Sequence, residues 1–589
     1  MKKGGRLVKK LKSLLKYTAK YKKRYLIGIL FLILVDILQL IPPKILGNLT
    51  DRLTFGNANM NLIIKSIVYI LILAVLMSIG RFMWRIYING TSRMIEYDIR
   101  NQFFIHLQKM STNFYNKNKT GDLMALATND LNAVRMALGP GVIMFFDAIV
   151  LTIATLIIMF SINAKLTIIS LIPLPFIAIT SSKFGRKIHK RFTKVQRCFS
   201  KLTDVVQENF SGIRIIKSFV QEEKEFERFA KENENNFQAN MKFIRIWGIF
   251  SPLIEFISSL SFVILVALGG VFVLYGDISV GEFIAFNMYL GNLVWPMMAI
   301  GWVINNLQRG FASLERIEEI LRQEPEIVDR NVEDIKSLKG DICIKNLTFK
   351  YPGAKHNALE DINITIKEGE TLGILGKTGS SKSTLINLLL RLYNVPDNKI
   401  FIGENDINKI PLQTLKERIG FVSQDPFLFS TTVGENINFA FEELDMDRVL
   451  EASKNADIYD NIIDFKYGFE TIVGERGATL SGGQKQRVSI ARALIKNPEI
   501  LILDDCLSAV DAKTEVKILE NLKKIMKSKT SIIISHRISA IEEADQIIVL
   551  DEGKIVQKGN HKELKEQQGI YKEIYEKQQI EAQIMAEEA

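Results

Sequence analysis

At 589 residues, 47% of them hydrophobic and 24% charged, the chain is too long for a single core and too apolar for a disordered one. A net charge of +11 raises nucleic-acid binding, yet the cations crowd segments that flank apolar runs, so no nucleic acid is expected and a membrane is. The three cysteines, Cys198, Cys343 and Cys506, stand far apart without metal-ligand spacing, which indicates neither a disulfide framework nor a zinc site and fits a reducing cytosol.

The N-terminus is basic (Lys2, Lys3, Arg6, Lys9, Lys10, Lys12, Lys16) and then apolar, and Tyr25 to Pro43 carries no small-residue cleavage site, so it reads as a retained span. A hydrocarbon core of about 30 Å takes roughly 20 apolar residues per helix. Six spans are expected on that measure, at about 24–48, 62–84, 138–161, 164–184, 246–275 and 279–305. The connections Gly47 to Met60, Ser161 to Lys165 and Tyr275 to Gly281 are short and poor in Lys and Arg, which puts them outside. The N-terminal cluster and Lys183, Arg186, Lys187, Lys190 and Arg191 follow the positive-inside rule, which leaves both termini in the cytoplasm.

The two inner connections, from about Arg85 to Leu138 and from Phe184 to Ile246, are charged but helix-patterned. A helix of 25 residues rises about 37 Å. The spans are therefore expected to continue into the cytosol and to reverse there, around Phe114 to Asp122 and Gln207 to Gly212, in short helices that touch a nucleotide-binding domain. Solvated loops are the alternative, disfavoured because long structureless loops are uncommon in compact proteins.

Polar groups inside spans are costly and become functional candidates: Asp36, Asp147, Glu255, Asn287, Asn305 and Asn306. Phe145, Phe146, Met288, Trp295, Met297 and Met298 accompany them, a mixture that suits a permissive apolar pocket with an acid for a cationic guest. Ordinary core packing is the competing account.

Beyond the spans, the apolar run Leu372 to Leu375 leads into Gly376-Lys377-Thr378-Gly379-Ser380-Ser381-Lys382-Ser383-Thr384 and then a helical pattern. Strand, glycine-bearing loop, Lys-Ser-Thr and helix form a phosphate loop, in which Lys382 would reach the β- and γ-phosphates and Ser383 would bind magnesium. A second buried strand, Ile500 to Leu503, ends in Asp504, the acid that holds magnesium in such folds, and Asp505 follows. Between them stands Leu480-Ser481-Gly482-Gly483-Gln484, and a third apolar strand, Ile532 to Ser535, precedes His536. Each signal alone is modest; their order and spacing together are specific.

With these motifs in place, almost the whole chain resembles the ATP-binding cassette (ABC) superfamily, and within it a bacterial half-transporter of the type IV exporter group. The resemblance implies an all-α six-helix transmembrane domain of the domain-swapped exporter type at 1–320, a linker at 321–330, an α/β P-loop NTPase cassette at 331–580 and a tail at 581–589. It also implies a multi-pass protein of the cell membrane with a cytoplasmic cassette, and ATP and Mg2+ as cofactors. Gly376, Thr378, Gly379, Ser380, Ser381, Lys382, Ser383 and Thr384 would surround the phosphates, and Tyr351 would stack on adenine. Ser383, Gln424 and Asp504 would surround the metal. Ser481, Gly482, Gly483 and Gln484 match the signature that binds the γ-phosphate held by the opposite cassette. Asp511 fits the loop linking the two sites, and Asp505, His536 and Gln424 fit the catalytic set. Gly474-Glu475-Arg476-Gly477 resembles the exporter-specific loop that contacts the membrane domain.

Two positions depart from the family pattern. Hydrolysing members carry Glu after the magnesium Asp; Asp505 is one methylene shorter, which withdraws the carboxylate by about 1 Å, and misplacement of that size can cost about 10²-fold in rate. Ser381 replaces a glycine, putting a Cβ where the backbone approaches phosphate or takes positive φ, at a cost on the order of 1–2 kcal/mol. The signature itself is intact. The expectation is a slow nucleotide site in one half of a heterodimer, resembling heterodimeric bacterial multidrug exporters, whose partner chain supplies the catalytic Glu and an altered signature. The expected cargo is amphipathic or cationic small molecules, moved by alternating access. A homodimeric lipid or peptide exporter and a regulatory ATP-binding subunit that transports nothing are the alternative readings.

Overall fold

The computed structural model describes residues 14, 16–57, 59–508, 510 and 512–588. The N-terminal cations up to Lys12, and Asp511, lie outside the described residues. The chain divides into two compact units, Met1–Gln108 with Thr120–Gln323, and Lys109–Lys119 with Glu324–Ala589.

In the first unit six helical segments are long and apolar enough to cross a membrane: Lys22–Thr54, Met60–Gln108, Thr120–Ile162, Ala164–Ser211, Glu222–Leu274 and Val280–Leu321. Each expected span coincides with one of them, the fifth and sixth overrunning by one residue at Tyr275 and Ser279, and the charged inner connections are helical extensions of the spans. Short helices, Thr112–Lys117 and Ile213–Ser218, sit at the two inner reversals. The second reversal comes later than expected. Gln207 to Ser211 finish the helix Leu174–Ser211, and the chain turns over 212–221 instead. Neither Gly nor Pro interrupts residues 186–211, so nothing breaks that helix before Gly212.

The outer turns are short because each is followed at once by a capped helix. The Asn59 side chain accepts from the Leu62 amide at 2.8 Å, and Asn163 from the Leu166 amide at 3.0 Å. Ser279 and Glu282 form a reciprocal capping box. At that last turn Asp51 accepts from the Gly281 amide and from Ser279 Oγ, both at 2.6 Å, and ties the end of the first span to the start of the sixth. Gly47 and Gly281 meet backbone to backbone there, an approach that a Cβ on either would block. Leu30 and Leu71 are among the side chains left on the outer faces, 58% and 63% exposed, as lipid-facing positions are.

The second unit has strands β1 (Ile342–Phe349), β2 (Leu359–Ile366), β3 (Thr371–Gly376), β4 (Ile400–Ile402), β5 (Asn405–Asp406), β6 (Ile419–Val422), β7 (Ile500–Asp504), β8 (Thr530–Ile534), β9 (Gln546–Asp551) and β10 (Lys554–Gly559). An antiparallel sheet has the order β2-β1-β4-β5, and a second sheet the order β10-β9-β3-β8-β7-β6. In the latter β9, β3, β8, β7 and β6 run parallel. Strands covered on both faces read as continuous apolar runs. Leu372, Ile374, Ile500 and Ile502 enter one core while Leu375, Leu501 and Leu503 enter the other. Residues 109–119 join this unit through hydrogen bonds: Asn113 Nδ2 donates to Glu326 Oε1 at 2.8 Å, Ser111 Oγ to Glu326 Oε2 at 3.1 Å and Asn116 Nδ2 to the Tyr393 hydroxyl at 2.9 Å.

Candidate functional site

Parallel strands deliver their C-terminal ends to one edge of a sheet, where open α/β folds bind ligands. Here β3 ends in the loop 377–381, β7 in Asp504 and Asp505, β8 in Ser535 and His536, and β6 leads to Gln424. The ends are tied together, since the Asp505 amide donates to Ile534 O at 2.9 Å and the Ser535 amide to Ile374 O at 3.3 Å. Residues far apart in sequence thus converge because β8 lies between β3 and β7.

The loop opens onto the helix Lys382–Leu389, whose first amides have no intrahelical acceptor and point at the loop. Lys382 is buried, and its Nζ donates to Gly376 O at 2.7 Å and Lys377 O at 2.9 Å. Burial pushes its ammonium below the usual lysine range, against the pull of Asp504 and Asp505. Burial likewise pushes the Asp504 carboxyl up, opposed by a hydrogen bond from Ser383. A cation and an acid held side by side with little water favour a ligand that brings charge of both signs. Ser380 Oγ is buried with no hydrogen-bond partner, so a donor is left over for an oxygen anion in the cradle. These residues fit a nucleoside triphosphate with its magnesium: amides and Lys382 for phosphate oxygens, Ser383 and Asp504 as hard oxygen donors for the metal.

Both departing positions have left-handed backbone. Ser381 has φ 73° and ψ 24°, and Asp505 has φ 45°. Glycine takes the first without strain; Asp tolerates the second better than longer residues do. Gly379 is also left-handed, at φ 85°, with open space around it. Tyr351 is fixed beside the loop: its hydroxyl donates to Thr384 Oγ1 at 2.9 Å, and its ring meets Phe349 and Tyr393 edge-on. Gln424 is exposed.

The signature segment stands apart from this cluster. Ser481 caps the helix Gly482–Leu494 in a capping box with Gln484, so the amides of Gly482 and Gly483 face outward at a helix start. No hydrogen bond among the described residues joins it to the loop. Free amides at a helix start are suited to an anion. Gly474 precedes the short turn Glu475–Gly477.

Supporting residues that sequence reasoning passed over also emerge. Gln578 donates to His536 O at 2.7 Å and accepts from the Ile538 amide at 3.0 Å, so the C-terminal helix holds the histidine segment. Gln486 donates to Ser508 Oγ at 3.1 Å, and Arg492 clamps the carbonyls of Phe427 and Asn436, both at 2.7 Å. Nothing in local sequence marks these; they are contacts between segments distant along the chain.

Among the spans, a cavity of about 930 Å³ is lined by Met144, Phe250, Trp295, Met297, Met298 and Trp302 with Asn305. Of the residues expected to meet cargo, Trp295, Met297, Met298 and Asn305 lie on it. Asp36 is buried and its carboxyl neighbours that of Asp147, with Arg81 close to both and Trp295 in polar contact with Asp147. Glu255 and Asn287 are exposed, and Met288 is 38% exposed on the same helix as Trp295.

Comparison with known proteins matches residues 25–297 to the ABC transporter transmembrane region and residues 359–508 to the ABC transporter domain. A probable multidrug resistance ABC transporter ATP-binding/permease protein, YheI of Bacillus subtilis, is 42% identical over 97% of this chain and 98% of its own length. The multidrug resistance-like ATP-binding protein MdlA of Escherichia coli is 39% identical over 95% of both chains. An ATP-dependent lipid A-core flippase of Syntrophus aciditrophicus is 36% identical over 80% of this chain and 79% of its own.

Proposed function

The chain belongs to the ABC transporter family, and from that membership we propose that it is one half of an ATP-driven exporter, with a slow nucleotide site of its own and a signature that serves a different partner chain. The observation that carries the slow-site reading is the left-handed backbone at Ser381 and Asp505, the two positions where the chain departs from its family. One places a Cβ in a glycine conformation within the phosphate loop; the other holds a carboxylate one methylene short of the attacking water.

In this reading the terminal phosphates of ATP lie on the amides between Gly376 and Ser383, with Thr378, Gly379, Ser380 and Thr384 shaping the cradle and Lys382 neutralising charge. Magnesium, when bound, draws its protein ligands from Ser383, Asp504 and Gln424. Tyr351 offers its face to adenine, and His536 with Asp505 orients water. Ser481 to Gln484 close on the partner's nucleotide, and Asp511, outside the described residues, links the two sites. Cassette movement passes to the spans through the short helix Thr112–Lys117, which Glu326 and Tyr393 hold by hydrogen bonds. Only ligands with different affinity for inward- and outward-open states can drive such a cycle.

The cargo proposed is amphipathic or cationic small molecules. The methionine and tryptophan cavity supports it, as do the multidrug-resistance names of two relatives and the flippase name of a third. The neighbouring carboxyls of Asp36 and Asp147, with Arg81 close by, are acids placed among the spans where a cationic guest could be met. The test is to reconstitute the chain alone and with its copurifying chain, then measure ATP hydrolysis, dye efflux and vanadate trapping. Activity that requires the second chain, with trapping on that chain, is expected. Strong trapping at Lys382, or full transport by this chain alone, overturns the slow-site heterodimer.

A further inference from the structure

The helix Leu174–Ser211 carries Lys187, Lys190, Lys194, Arg197 and Lys201 at spacings of three and four residues, so these cations form one stripe. With Lys242 of the helix Glu222–Ile264 and with Arg191 they line a groove of about 1220 Å³. Seven cationic side chains there face a single carboxylate, Glu232. Among the described residues none of the seven makes an ion pair, whereas at the far end of the same helix pair Arg228 pairs with Glu208 at 2.8 Å and with Glu225 at 3.5 Å. Like charges at helical spacing repel, and on the groove wall Glu232 alone stands to offset them.

The positive-inside rule counts cations within about 15–20 residues of a span's end, and Lys201 stands near that limit. Lys201 lies about 28 Å along the helix from residue 182, at 1.5 Å per residue, well beyond the Debye length of about 8 Å over which a lipid surface attracts charge. The groove also adjoins the methionine and tryptophan cavity: His189 lines both, and Arg186 stands on the cavity's wall. A cationic groove beside a chamber rich in methionine and tryptophan matches a ligand with an anionic head and a hydrocarbon body.

We propose that the groove between Lys187 and Lys201 holds the anionic head group of an amphiphile whose apolar part lies in the adjoining Met297, Met298 and Trp302 cavity. This takes the amphipathic arm of the export reading, gives it a negative head and sets the cationic arm aside, and it rests on that reading only for the transport step, not for binding.

The test uses the full chain in nanodiscs of uncharged lipid and follows tryptophan fluorescence on adding dodecyl phosphate, dodecyltrimethylammonium or inorganic phosphate. Dodecyl phosphate is expected to bind at least tenfold tighter than the other two, and more weakly as salt is raised. A triple Lys190→Gln, Lys194→Gln, Arg197→Gln variant should lose that preference about tenfold, while Arg228→Gln at the neutralised end should keep it. Nanodiscs containing phosphatidylglycerol distinguish the source: competition by that lipid identifies a bilayer head group, and no competition a free amphiphile, either of which upholds the site. Equal affinity for the cationic detergent, salt-independent binding or an unchanged triple variant overturns it. Loss of dodecyl phosphate binding once the copurifying chain is present also overturns it, since the counter-charges then come from that chain. If binding holds but ATP drives no movement of the probe in reconstituted vesicles, the export reading fails and the site stands.

Discussion

Ser381→Gly isolates the cost of a side chain in left-handed backbone. At φ 73° and ψ 24° a residue with a Cβ is strained by about 1–2 kcal/mol, which glycine escapes. Glycine returns about 0.4–1 kcal/mol of that through its greater freedom in the unfolded chain. The net gain is about 0.5–1 kcal/mol, which for a domain of roughly this size raises the melting temperature by about 2–4 °C at most. Scanning calorimetry of the full-length protein, following the cassette transition, reads the shift. Because the strain belongs to the loop itself, the gain should be the same with and without magnesium-ATP. Ser381→Ala keeps the Cβ and should show no gain. Equal shifts for the Gly and Ala variants, or a lower melting temperature for Gly, would refute the strain argument; a gain seen only with nucleotide would place the cost in a clash with phosphate.

Asp505→Glu should raise hydrolysis at this half-site by one to two orders of magnitude if carboxylate reach is limiting, read as vanadate trapping on this chain beside its partner; its left-handed φ of 45° should make the variant slightly less stable. Arg492→Ala removes a charged clamp on Phe427, Asn436 and their neighbouring rings, and should cost at least about 2 kcal/mol in cassette stability by denaturant titration. Burial lowers the Arg492 guanidinium to about 10, so it stays charged in both states and that cost should not change between roughly pH 6 and 9. Cys506 is 3% exposed and burial pushes its thiol up to about 12, so iodoacetamide at pH 8 should label Cys198 and Cys343 in the native protein and spare Cys506 by mass spectrometry.

The loop 376–384 was legible because its chemistry is local: glycines, Lys382 and Ser383 act within a few residues of one another at the end of a strand. The six spans were legible for a similar reason, as run length against bilayer thickness needs no neighbour. The turn at 212–221 was misplaced by several residues because polar amphipathic sequence between Gln207 and Ser211 supports helix as readily as loop. Lys187 to Lys201 were visible as charge and were assigned to membrane topology; the structure adds that the antiparallel helix opposite brings a single carboxylate, Glu232, to the groove they line. Asp36 and Asp147 were named one by one, and nothing in their spacing, more than a hundred residues, said that they are neighbours.

What the amino-acid order carried alone was therefore what short-range periodicity and covalent adjacency express: which segments are long and apolar enough to cross a membrane, where the strand, loop and helix around Lys382 begin, and that Ser381 and Asp505 differ from the pattern expected of the family. Tertiary structure decided the rest. Only the strand order brings Lys382, Asp504 and His536 to one edge, and only the backbone at Ser381 and Asp505 shows the left-handed geometry that gives those departures a physical cost. Pairing between the helices Leu174–Ser211 and Glu222–Ile264 decided whether a row of lysines would be neutralised or left facing a groove. Charge and burial depend on what stands opposite in space, and that is set by contacts between residues the chain keeps far apart.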